Sequence, residues 1–175
     1  AMPASLPICT SVSSRSPIMM QRSAGSFTRP RMASIVWRDG LPTTGITAQI
    51  PPGVQGAKPM PKAGWALTVR KEKLATPYNS HGKQITEDVA EVSWTALSPE
   101  AALPEAFYDE FVLRTALPAS AGPLWFKVIQ DCKLGDKLGR NAWTQVPAEG
   151  ISMKGLKSPA ALLQVQSKGE SAHQH

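Results

Sequence analysis

From residue 45 to residue 146 the chain is a succession of short runs with strand-like alternation, each closed by proline or glycine. That punctuation constrains it most. Sixteen prolines and 13 glycines in 175 residues leave little room for long helices and supply many turns. The runs expected as strands are 45–50, closed by Pro51-Pro52-Gly53, then 64–70, 89–95, 109–116, 124–130 and 142–146. In 64–70, Trp65, Leu67 and Val69 alternate with Ala66, Thr68 and Arg70, a period of two that buries one face. Val92 and Trp94 share one side of the third run, and Phe111 and Leu113 one side of the fourth. Residues 124–130 are apolar on both faces, as in a central strand. The best helix candidate, 99–108, is interrupted by Pro104 and shrinks to a short turn.

Short strands at turn-bounded intervals point to an all-β, antiparallel sandwich or barrel and not to alternating βα units. We expect it to occupy residues 41–166. Residues 1–40 show no sustained period and read as an irregular or misassigned segment, and residues 167–175 as a polar, histidine-containing tail. No run is long and apolar enough to span a bilayer, and residues 1–12 do not read as a signal peptide, so an exported protein would already have lost its leader.

The net charge of +6 does not indicate a nucleic-acid partner. Arg15, Arg22, Arg29, Arg31 and Arg38 face a single acid, Asp39, within residues 1–40, while the rest holds 14 basic and 12 acidic groups. The later basic residues are scattered and lack the interleaved aromatics of a base-stacking surface. Enzymatic motifs are also missing: no nucleophile elbow, no phosphate-binding glycine loop and no paired-histidine helix. The expectation is a binding protein and not an enzyme.

Three groups of residues could bind. Among the five tryptophans, Trp65, Trp94 and Trp125 sit in strand patterns and read as core or sheet-edge packing. Trp143 follows a hydrophilic loop and precedes Pro147, near an end of the sandwich where sites tend to be built. His173 and His175 offer two imidazoles on the tail, a donor type that suits copper and zinc, although two ligands on a tail bind weakly alone and a plain solvated tail or cloning remnant reads more readily. Cys9 and Cys132 are either one disulfide or two unrelated thiols.

The segments IPPGVQGAKPMPKAGWALTV (50–69), VAEVSWTA (89–96), LPEAFYDEFVLRTALP (103–118), LWFKVIQDC (124–132) and AWTQVPAEG (142–150) together resemble the YcnI-like copper-binding family, collinearly over about residues 41–165. The resemblance implies an antiparallel β-sandwich of immunoglobulin or fibronectin type, extracytoplasmic (periplasmic or secreted), that binds copper, most readily Cu(II), in copper acquisition or homeostasis. Implied partners are a membrane copper transporter or another copper chaperone. In such proteins an N-terminal histidine, a nearby carboxylate and a tryptophan hold the metal, and Trp143 falls on that tryptophan. This chain departs at its start, where Ala1-Met2-Pro3 stands instead of the histidine and the motifs resume abruptly at Leu41-Pro42-Thr43-Thr44. A frame-shifted reading of residues 2 to about 39 would produce such a boundary. Candidate metal residues are therefore Trp143, His173 and His175. The alternative reading is a non-catalytic cell-envelope sandwich that binds a protein partner.

Overall fold

The structure is a computed structural model that describes residues 20–23, 40–148 and 153–166. In chain order the strands are β1 (Met20–Ser23), β2 (Thr43–Gln49), β3 (Gln55–Pro59), β4 (Trp65–Ser80), β5 (Lys83–Ala96), β6 (Leu113–Ala116), β7 (Gly122–Leu134), β8 (Lys137–Trp143) and β9 (Ala161–Gln166). They form an all-β, immunoglobulin-like fold. The larger sheet runs β1-β9-β7-β2-β5-β4, with β8 also paired to β7, and β3 pairs with β6 in a second, two-stranded sheet. Every pairing is antiparallel except β1 with β9.

Strand alternation accounts for the core. Register places Ile46 between Trp94 and Gln130, and Ala48 between Val92 and Val128, so these side chains form adjacent rows on one face. Ala57 of β3 and Leu113 of β6 close over those rows from the second sheet, together with Phe111. Trp94 is fully buried, and its indole N–H donates to the Met60 carbonyl at 2.9 Å, so the ring loses no hydrogen bond on burial. Phe111 meets Trp65 and Trp94 edge-on, at centroid distances of 5.0 and 5.6 Å. A smaller cluster of Val54, Leu124, Leu163 and Val165 lies against the first half of β7 and β9.

The 124–130 run is central, as its pattern requires: it lies in β7, which pairs with β2, β8 and β9. Other boundaries differ from the sequence reading. The expected helical region holds only a 3-10 turn at Pro99–Ala101. Strands β3 and β9 fall outside the expected runs, and β8 begins at Lys137 instead of 142. β1 lies within the segment whose sequence has no sustained period.

β4 and β5 run on well past the body as a two-stranded ribbon whose outer residues are mostly exposed. Its two-residue turn, His81-Gly82, has positive φ at both positions (48° and 75°), the type I′ geometry that matches strand twist. β4 lies at one edge of the larger sheet, and its ladder is irregular between Lys73 and Tyr78, a stretch that contains Pro77.

The ribbon is tied to the second sheet by Asp88. Its carboxylate accepts the Gly56 amide at 2.8 Å, the Tyr78 hydroxyl at 2.7 Å and the Val89 amide at 2.7 Å. Burial by itself would raise the Asp88 pKa, but these donors outweigh it and hold the group below its ordinary value. Partial burial, aided by the bond to Asp88, pushes the Tyr78 hydroxyl up.

Two outcomes follow for stability. Trp94→Ala should cost about 3–5 kcal/mol in urea unfolding, the range for truncating a buried tryptophan. Asp88→Asn should cost about 1–2 kcal/mol at neutral pH, since it weakens a charge-assisted clamp. Because the folded-state pKa lies below the unfolded one, the carboxylate's contribution is whole above about pH 4 and is lost as pH falls further. The gap between wild type and Asp88→Asn in urea melts should therefore close on acidification.

Candidate functional site

The interior of the sandwich changes character at β8. Among the described residues, β8 pairs only with β7, so its other side is a sheet edge. The inward row Val92, Ala48, Val128 continues across the β7–β8 ladder to Trp143, which is half-buried and packs against the main core. The neighbouring row, Trp94 and Ile46, continues instead to Gln130 and Asn141, two residues from Trp143 on the same face of β8.

Gln130 and Asn141 are buried polar groups, and they are joined. The Asn141 amide donates to Gln130 Oε1 at 3.1 Å, and the Gln130 amide donates to Thr43 Oγ1 at 2.6 Å. Thr43 is also buried, and a register shift between Thr43 and Gly45 brings it onto this face opposite Cys132. The chains approach closely at Gly45: an added Cβ would stand 3.3 Å from Asp131 Cβ, so Asp131 would have to give by a few tenths of an ångström to admit it. Cys132, buried beside this row, is disulfide-bonded. Cys9, the chain's other cysteine, lies outside the described residues.

Chemically, the row Thr43–Gln130–Asn141 is neutral and does not titrate near pH 7. It supplies no general base. Of the three metal candidates, Trp143 is described, and His173 and His175 lie outside the described residues. Among the described residues no group of three or more His, Cys, Asp or Glu converges as a metal site. His81, at the ribbon tip, is exposed.

Apart from this row, a shallow cleft of about 350 Å³ lies where β2 leaves and β7 enters the sheet. Ile50, Pro51, Pro123, Trp125 and Val146 line it, with Lys127 as its charged group. Trp125 is thus only half-buried and packs at the cleft, whereas Trp65 and Trp94 are core residues. The Thr43–Gln130–Asn141 row escapes sequence reading. Its three residues meet only through the β2–β7 and β7–β8 registers, and no local pattern encodes either.

The sheets and core define an immunoglobulin-like β-sandwich domain with a neutral polar row at one edge. The Domain of unknown function family DUF1775 matches residues 21–165, and the chain belongs to that family. The match reaches back past Leu41, where the sequence motifs begin. A crystal structure of an uncharacterized protein from Nocardia farcinica, described as revealing an immunoglobulin-like fold, is similar to this chain with a TM-score of 0.51. The two are 23% identical, and the match covers 73% of this chain and 79% of that one, a likeness of fold. No curated protein matches this chain significantly.

Gln130 is the link that serves both neighbours in the polar row. Gln130→Met, which keeps the approximate shape and removes the amide, should cost about 1–3 kcal/mol in urea unfolding because two buried partners lose a bond. Asn141→Leu, which leaves the Gln130–Thr43 bond intact, should cost less in the same measurement.

Proposed function

We propose that the chain is a non-catalytic, extracytoplasmic copper-binding protein of the YcnI-like kind, with copper as its cargo in acquisition or homeostasis. The observation that carries this reading is the position of Trp143. The family motif AWTQVPAEG puts a tryptophan there, and that residue ends β8 half-buried, beside a sheet edge and next to a buried neutral polar row. A disulfide-bonded Cys132 fits the oxidising compartments where disulfides persist, which supports a periplasmic or secreted location.

Because the described residues hold no cluster of strong metal ligands, the nitrogen donors in this reading are His173 and His175. Imidazole is a good match for Cu(II), which sits at the top of the affinity order for divalent first-row metals. A membrane copper transporter or a second copper chaperone would receive or supply the ion.

Cu(II) titration of the whole chain, followed by tryptophan emission, tests the proposal. Quenching should saturate near stoichiometric metal, lose amplitude in Trp143→Phe and largely disappear in His173→Ala/His175→Ala. An emission spectrum unchanged at several equivalents of Cu(II) would remove copper binding from this chain.

A further inference from the structure

The cleft beside β7 is walled by two stiff corners of the chain. Pro51 and Pro52 follow the end of β2, Pro123 stands at the start of β7, and each ring fixes its own backbone φ. The first corner is also bonded in place, since the Ile50 amide donates to the Ala90 carbonyl at 2.9 Å and the Val54 amide to the Pro51 carbonyl at 3.4 Å. Trp125 and Lys127 complete the lining from β7. They are two residues apart in one strand, so they project from the same face. Val146, 41% exposed, adds an apolar side chain from beyond β8.

Donors and acceptors in this cleft are unevenly matched. Lys127 is half-buried and is the one charged residue of the lining, and its ammonium takes no ion pair or hydrogen bond among the described residues. The Trp125 indole N–H has no acceptor among them either, whereas that of Trp94 is met by the Met60 carbonyl. No acid lines the cleft. Across the ladder from Lys127 stands Gln49, and beyond Gln49 stands Glu91. Glu91 is already engaged: the Gln49 amide donates to it at 3.3 Å, and Arg70 pairs with it at 3.5 Å. Two donors without acceptors, set among proline, isoleucine and valine side chains, are matched by an anionic acceptor carried on an apolar body.

From this geometry we propose that the cleft is a binding site for a small aromatic carboxylate. The ligand's ring packs on the Trp125 indole and the neighbouring proline rings, and its carboxylate accepts from the Lys127 ammonium. Aromatic rings gain by offset or edge-on contact beyond the area they bury. A hydrogen bond between two ionised groups is the stronger kind, and partial burial of the lysine shields it from water. A volume of about 350 Å³ stands at the small end of the range for small-molecule sites, which suits one ring or two fused rings. Proline corners hold the walls in place before the ligand arrives, so little ordering is left to oppose binding. The site stands apart from the copper reading, since none of its residues is a metal candidate.

Heteronuclear NMR of the whole, metal-free, isotope-labelled chain tests the site, with naphthoate as the probe and uncharged naphthamide as its control. The Trp125 indole N–H signal and the backbone amides of Ile50 and Lys127 should shift together along one saturating curve. Naphthamide should bind at least fivefold more weakly than naphthoate. Lys127→Met, which keeps the apolar stem and removes the charge, should erase that preference and bring the two ligands within about twofold. Trp125→Ala should weaken both ligands at least fivefold. Unchanged amide signals away from the cleft would show that a variant remains folded, and Lys127→Met decides the matter alone if Trp125→Ala does not fold. Equal affinity for the acid and the amide would overturn the proposal. So would a preference that survives in Lys127→Met, or shifts that scatter over the surface and do not saturate.

Discussion

The larger sheet depends on one strand that serves two sets of partners. β7 is 13 residues long, and its first part, Gly122 to Phe126, pairs with β9, whereas Lys127 onward pairs with β2 on one side and β8 on the other. A strand of that length accumulates right-handed twist, so its two halves need not present the same face to the same layer. The two hydrophobic clusters record the division: Val128 belongs to the main core and Leu124 to the smaller one, with Phe126 packed against both. Breaking β7 would separate β9, and β1 beyond it, from the rest of the sheet.

This division explains which parts of the fold were legible in the sequence. Runs with plain alternation and large apolar residues, such as 64–70 and 89–95, reappear within β4 and β5 because burial on one face writes a period of two. The ribbon beyond them does not, since both faces of residues 71–88 are largely solvated and no burial period is imposed. β3 carries lysine, glycine and proline around a single buried alanine, Ala57, and its sequence resembles a turn. β9 follows a glycine- and lysine-rich stretch and is fixed by pairing with β7, a partner almost forty residues away in the chain. The 3-10 turn at Pro99–Ala101 was legible through its prolines alone.

The candidate site was legible only in part. Trp143 stands out because a tryptophan beside a hydrophilic loop is costly to leave unsupported, and the structure gives it half-burial against the core. Its polar neighbours could not be anticipated, because Thr43, Gln130 and Asn141 come from three strands and converge through register and one ladder irregularity. A hydrogen-bonded row of neutral groups inside a sandwich specifies alignment, since sliding β7 by one residue would turn Gln130 outward and strand its two partners. The same row therefore fixes the position of Trp143 relative to the core.

The irregular outer margin of β4 has a separate consequence for how the molecule behaves in company. A 16-residue strand at a sheet border offers a long line of hydrogen-bonding groups to any passing chain, which is the starting point of fibrous self-assembly. Arg70, Lys71, Glu72 and Lys73 load that border with charge, and Pro77 removes a donor where the ladder is already distorted. Neighbouring copies thus meet a border that repels and does not fit. The exposed ribbon can project into a crowded compartment without seeding its own aggregation.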